Sequence, residues 1–339
     1  MKSTLPRGAA LLLFAVVVLA WGFNWPVTKM IVHSMSPLWT AALRSLIATV
    51  ALLCLLSAQG NLIVPRRGDL PVVFGIALPH MVAFSALVAI GIQFVPAGRA
   101  IVLGYTTPLW VIPAARLFLG EPITRRHLMG GGVAFAGLAL MFNPAAFDWG
   151  DGRALLGNGL LLLAAGCWAV SIVYVRAHRW ISTPFQLVFW EALLASLLLA
   201  LLAILFDGIP HIEWTPRLCL LLVYGGLLVY GGVVGNALAY WAIAMVNRSL
   251  PAATTSLGLL ATPVVGTLSA AIVLGEPVGP TLLCAMALIV SGIALGTMAR
   301  APSPRGAASA MKSSRRPPPS AAVAPPREQA VRSVRDGAT

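Results

Sequence analysis

The chain has 339 residues, of which 59% are hydrophobic and only 10% charged, against about 25% charged in a soluble domain. Such a composition excludes a water-soluble core and points to the bilayer as the solvent. The formal net charge of +13 does not mark a nucleic-acid binder, because eight of the 23 Lys and Arg residues lie after residue 299.

The first apolar run, residues 9–32, follows Lys2 and Arg7. Its "AALLLFAVVVLA" also reads as a secretory signal with Val18-Leu19-Ala20 as cleavage site. The run continues through "WGFNWPVTKMIV", long enough to span, which favours a retained helix. Further runs follow near 38–58, 70–92, 97–119, 124–142, 154–176, 184–206, 217–246, 250–274 and 278–299. Most match the ~17–25 residues that cross a hydrocarbon core; the fifth is the shortest and the eighth overlong. None alternates apolar and polar residues as barrel strands do. The expected fold is therefore an all-α integral membrane protein with ten transmembrane helices. Residues 300–339, with "SSRRPPPSAAVAPPREQ", hold too little apolar surface to fold and are predicted to be a basic disordered tail. Contact with anionic lipid headgroups is the alternative for this tail.

The loops alternate in charge. Lys2 and Arg7, Arg66 and Arg67, Arg125 and Arg126, Arg176 and Arg179, Arg248 and the tail fall on one side. The intervening loops are poorer in cations: "FDGIPHIEW" carries two acids and no Lys or Arg. By the positive-inside rule both termini are cytoplasmic.

A phrase recurs. "TTPLWVIPAARLFLGEP" at 106–122 returns as "ATPVVGTLSAAIVLGEP" at 261–277, 155 positions later. Pro96 matches Pro251 and Gly137 matches Gly292 at the same offset. Upstream the offset is 147, pairing Trp21 with Trp168, Pro37 with Pro184 and Arg44 with Glu191. The chain thus reads as two five-helix units, 1–145 and 150–299. Five is odd, so the second unit enters the membrane inverted. Inverted repeats are a signature of secondary transporters.

"AWGFNWPVTK" in the first helix, "TPLWVIPAARLFLGEPIT…GGGVAFAGLAL" in the fourth and fifth, and "TPVVGTLSAAIVLGEPV…IVSGIAL" in the ninth and tenth resemble the EamA family of the drug/metabolite transporter superfamily. The resemblance covers about residues 1–299 and has no counterpart for the tail. It implies a ten-helix inner-membrane carrier, often an exporter of amino acids or other small metabolites.

The recurring LGEP has an architectural reading. Gly120 takes the left-handed conformation that ends a helix, Pro122 opens the next one, and Glu121 sits at that helix's positive end. Gly275, Glu276 and Pro277 repeat the turn. The functional alternative is that each Glu latches a gate. Pro108 and Pro263 fall inside the fourth and ninth helices, each freeing a carbonyl. Thr106, Thr107, Thr254, Thr255 and Thr262 are placed to compensate. Gly231/Gly235 and Gly292/Gly296, four apart, are read as close helix contacts. The length and glycines of the eighth helix suggest a bent or discontinuous element.

Polar groups in a membrane require a reason. Trp21 and Asn24 share one helix face, and Trp168 and Ser171 repeat that spacing. Facing each other, these pairs would wall an aromatic pocket for an amino acid, an aromatic metabolite or an amphiphilic cation. The opposing reading is packing or interfacial anchoring, and Trp25 beside Pro26 is assigned to packing. His80 and Asn236 stand at nearly equivalent repeat positions, and Tyr105 and Tyr240 add hydroxyls. For each, cavity lining and interhelical hydrogen bonding are both open. Arg44 and Glu191 lie seven residues past their prolines, roughly 10 Å into the core from opposite sides. A direct salt bridge between them would be strained. Arg44 either snorkels outward or holds a substrate carboxylate; Glu191 is either a structural carboxyl or a proton-coupling site.

Cys54, Cys167, Cys219 and Cys284 lie in or at the edge of apolar runs without a CxxC pair, so neither disulfide nor metal is expected. No cofactor is implied. The chain has no Walker motif, no H-E-x-x-H and no G-x-S-x-G, so it is not read as an ATPase or a membrane enzyme. Expected partners are a small-molecule substrate, the bilayer and a second copy as a homodimer, with no nucleic acid. The alternative to a secondary transporter working by alternating access is a non-transporting membrane scaffold or receptor-like protein.

Overall fold

A computed structural model of the chain describes residues 5–120, 125–142, 150–178, 181–208, 225–249, 259 and 261–297. All regular structure among them is helical. Seven helical stretches are long and apolar enough to cross a membrane, and three shorter apolar helices join them. Their outer faces are apolar: Leu117 is 77% exposed, Phe206 76% and Ile272 83%. Such exposure suits lipid, where it carries no hydrophobic penalty. The predicted tail and Cys219 lie outside the described residues; Cys54, Cys167 and Cys284 are free thiols.

The first helix, α1 (Arg7–Val32), runs unbroken through Pro26. It is followed by α2 (Pro37–Ala58), which has proline in its first turn where the missing N–H costs nothing. The third span changes gauge along its length. A 3₁₀ turn at Arg67–Asp69 leads into α3 (Leu70–Ile76), a π-helix at Ala77–Phe84 and α4 (Ser85–Gly91). Pro79 accounts for the change, since it has no N–H to return to the preceding turn and the helix widens to i→i+5 bonding.

The fourth span is broken. α5 (Ala97–Gly104) stops before Tyr105, and after Tyr105 and Thr106 the chain restarts as α6 (Thr107–Leu119). Pro108 was expected inside a helix, but it stands in the first turn of α6, the position proline tolerates best. The freed carbonyls are bonded locally, as the threonines were expected to do. Thr106 Oγ1 donates to Leu103 O at 2.6 Å and Thr107 Oγ1 to Gly104 O at 2.9 Å. Pro263 does lie in a helix, Ala261–Leu274, close to its start and next to the buried Thr262. Thr254 and Thr255 lie outside the described residues.

α7 (Arg125–Phe142), α8 (Gly152–Ala177) and α9 (Pro184–Asp207) follow. The apolar stretch Gly225–Ile243 holds a second π-helix, Tyr230–Leu238, which leads into α10 (Ala239–Ser249). The expected irregularity of this helix is thus a widening of its gauge. α11 (Ala261–Leu274) and α12 (Pro280–Thr297) complete the described helices. α12 packs against α7 with nothing between backbones: a Cβ on Gly292 would stand 2.5 Å from Ala134 N, and one on Gly137 2.8 Å from Ala285 O.

Both LGEP glycines take positive φ, 68° at Gly120 and 67° at Gly275, a conformation open chiefly to glycine. The rest of the expectation needs correction. Residues 275–279 are non-helical and α12 begins at Pro280, so Pro277 does not open that helix. Glu276 does not serve its own following helix. Its Oε1 accepts from Ala97 N at 2.6 Å and its Oε2 from Gly98 N at 2.9 Å, closing the start of α5 in the other half of the chain. The orphan N–H groups of any helix start suit a carboxylate, and packing decides whose. Glu121 and Pro122 lie outside the described residues.

Candidate functional site

The site grows from helix faces. On α1, Trp21, Asn24, Trp25 and Thr28 stand at i, i+3, i+4 and i+7, one stripe of a 3.6-residue helix. On α2, Ala41, Arg44, Ser45 and Ala48 repeat the pattern. These two stripes, with His80, Met81 and Phe84 of the first π-helix, Ser85, Val88 and Ala89 of α4, Tyr105, Trp168, Ala192, Gly235, Asn236 and Tyr240, enclose one cavity of about 120 Å³. Of the residues named from sequence as substrate-binding, Trp21, Asn24, Arg44, His80, Tyr105, Trp168, Asn236 and Tyr240 line it. Ser171 does not: it is buried elsewhere on α8. One turn past Trp168 the helix faces its neighbours, so matched spacing in the two halves does not give matched exposure.

One end of the cavity is aromatic. The His80 imidazole lies parallel to the Trp168 indole, centroids 5.2 Å apart at 4°. Phe84 meets the same indole at 5.4 Å and 62°, and Tyr105 meets it edge-on at 5.8 Å and 87°. Tyr240 closes on His80 at 6.4 Å. Offset and edge-to-face pairs of this kind are the favourable aromatic geometries. Trp25, assigned to packing by sequence, does pack: it lies over Gly104, where a Cβ would stand 2.6 Å from its ring. It also contributes to the cavity wall.

The other end is built around Arg44. Its Nη1 donates to Thr28 Oγ1 at 2.6 Å and its Nη2 to Asn24 Oδ1 at 3.0 Å. Thr28 is held ready by giving its own proton to the Asn24 carbonyl at 2.7 Å. Arg44 therefore does not snorkel outward; it is bracketed inward against α1. Its Nε has no partner. The second π-helix makes room. A Cβ on Gly231 would stand 2.7 Å from Arg44 Nε, and one on Gly235 2.6 Å from Asn24 Oδ1. These glycines, expected at a helix-to-helix contact, receive polar side chains instead.

Glu191 is 4% exposed and its Oε1 has no partner. It is not in the cavity wall, although its neighbour Ala192 is, and it stands within electrostatic range of the Tyr240 hydroxyl. Arg44, in the cavity wall, acts electrostatically on the same hydroxyl. The two form no ion pair with each other.

Sequence reading passed over several polar residues. Thr28 and Ser45 were findable, since each completes an i, i+3, i+4, i+7 stripe through residues already named. Lys29 and Asp69 carried no local signal. Lys29 Nζ donates to Ile92 O at 2.6 Å and Val95 O at 2.7 Å, at the corner that Glu276 also holds. Asp69, fully buried, accepts from Ser182 N at 3.1 Å and Ser182 Oγ at 2.8 Å, joining the start of the third span to the turn before α9. No group of metal-binding residues occurs among the described residues.

The profile of the EamA-like transporter family matches this chain twice, over residues 8–143 and 155–298. An uncharacterized transporter, YoaV, of Bacillus subtilis strain 168 is 25% identical over 83% of this chain and 94% of its own length. A probable amino-acid metabolite efflux pump of Salmonella typhimurium is 29% identical over 82% of this chain and 91% of its own. The uncharacterized inner membrane transporter YedA of Escherichia coli K12 is 28% identical over 88% and 93%. A solved crystal structure shares the fold at a TM-score of 0.60, with 23% identity, over 86% of this chain and 98% of its own.

Proposed function

The chain belongs to the EamA-like transporter family, and we propose that it is a secondary carrier that exports small metabolites, amino acids or related amphiphilic compounds, across an inner membrane by alternating access. The carrying observation is the cavity described above. Its wall takes side chains from both halves, Trp21, Asn24 and Arg44 from one and Trp168, Asn236 and Tyr240 from the other. Sites at the interface of inverted repeats are where such carriers bind substrate.

Several features support two five-helix units of opposite topology, 1–145 and 150–299. The family profile matches twice. A π-helix occurs in the third span at Ala77–Phe84 and in the eighth at Tyr230–Leu238. Positive-φ glycines close the two LGEP-bearing helices. Alternating loop charge supports cytoplasmic termini. The name of the Salmonella relative favours export of an amino-acid metabolite. The cavity volume of about 120 Å³ is well under the ~300–1,000 Å³ of drug-sized sites, which favours a small ligand. Glu191, buried beside the cavity without a cation partner, is the proposed proton-coupling group.

The test is to overproduce the protein and the Trp21→Ala/Trp168→Ala double variant at matched membrane levels and compare small molecules in the spent medium. A compound enriched by the wild type alone is the expected result. Equal enrichment by both keeps the carrier and removes the aromatic wall from its site. No enrichment by the wild type, in a host supplied with amino-acid mixtures, counts against export.

A further inference from the structure

We infer that the cavity selects substrates by a carboxylate head group, read by Arg44, and that an amino group on the substrate is dispensable. The inference rests on the carrier reading and narrows it, because an amphiphilic cation would suit the aromatic wall equally well.

The argument begins with charge. Among the residues lining the cavity, Arg44 is the one Lys, Arg, Asp or Glu. Its guanidinium is permanently charged and makes no ion pair among the described residues. Its two hydrogen-bond partners, the Thr28 hydroxyl and the Asn24 amide oxygen, are neutral. They orient the fork without neutralising it, and Nε keeps a donor without an acceptor. A buried charge with an unmet donor is costly, and the cost falls when an anion pairs with it. A carboxylate does so with two acceptor oxygens that match the guanidinium fork. An ammonium group offers only donors and repels the same charge.

Geometry adds to charge. Glu191, which would favour a cation, is buried outside the cavity wall. Tyr240 contacts His80, and His80 lies flat against Trp168. Arg44, Tyr240, His80 and Trp168 all line the one cavity, so a substrate carboxylate at Arg44 leaves the aromatic end to receive a ring. Glycine at 231 lets the Arg44 side chain lie where it does, because any Cβ there would stand 2.7 Å from Nε.

The experiment uses three probes on one skeleton: 3-phenylpropionate, phenylalanine and phenethylamine. The full-length protein is reconstituted into vesicles and counterflow of each labelled probe is measured. The expected result is uptake of the acid and the amino acid, with the amine at least tenfold slower. Arg44→Gln should lower acid uptake at least tenfold, and Arg44→Lys, which keeps the charge but loses the fork, should fall between. The wild-type preference needs no variant to fold. Uptake of the amine at the rate of the acid, or acid uptake unchanged in Arg44→Gln, overturns the inference and leaves the carrier reading intact. Uptake of none of the three also overturns it, and the spent-medium comparison, which presupposes no probe, then judges the carrier reading separately.

Discussion

Glu276 and Ala97 are 179 positions apart in sequence, yet the Glu276 carboxylate accepts the Ala97 amide at 2.6 Å and the Gly98 amide beside it at 2.9 Å. The same corner is held from its other side by Lys29, whose ammonium covers the Ile92 and Val95 carbonyls. Anion on amides and cation on carbonyls is the arrangement that helix ends favour. Here it staples the turn between α4 and α5 to both halves of the chain.

Removing that staple should be measurable. Glu276→Ala leaves two helix-start amides without their acceptor and should cost about 1–2 kcal/mol, the scale of losing an N-terminal cap. Glu276→Gln keeps one acceptor and should cost less. The apparent melting temperature of the purified protein in detergent checks the order; equal melting of wild type and Glu276→Ala would show that the contact adds no stability.

The glycines of the second π-helix make a sharper test. Gly231→Ala places a methyl against Arg44 Nε and Gly235→Ala places one against Asn24 Oδ1. Either should push the Arg44 bracket out of place and lower transport about tenfold or more at an unchanged membrane level. Gly225→Ala, where a Cβ meets nothing within 4 Å, is the control and should transport normally.

Trp168 is the hub of the aromatic end, touched by His80, Phe84 and Tyr105. Trp168→Ala should weaken apparent substrate affinity by roughly 1 kcal/mol, about fivefold, the scale of one aromatic pair. Trp21→Ala should act in the same direction. Concentration dependence of uptake in vesicles reads both, and unchanged affinity in each would return the two residues to packing.

Glu191→Gln removes a buried carboxylate next to the cavity-lining Ala192 while preserving side-chain volume. Accumulation driven by an imposed pH gradient should disappear, and exchange of substrate at equal concentrations on both sides should persist. A variant that still concentrates substrate on the gradient would exclude Glu191 as the coupling group.

Much of this protein is legible before folding. Apolar content and run length are local properties, so they identify membrane helices without any partner. The stripe Trp21, Asn24, Trp25, Thr28 is likewise readable, because helical periodicity alone puts those four side chains on one face. Gly120 and Gly275 announce their turns because only their missing Cβ makes the left-handed step easy. What packing alone decided is which groups meet. Nothing near Glu276 in sequence names Ala97, and any exposed helix start would accept its carboxylate equally. Arg44 could have snorkelled outward on its long stem; it points inward because Asn24, Thr28 and the glycines of a neighbouring helix leave a fitted space. Ser171 repeats the spacing of Asn24 yet misses the cavity, since a face is defined by its neighbours and not by its own helix. Local sequence determines which conformations are cheap, whereas contacts over 150 residues and more are selected by the shape of the whole bundle.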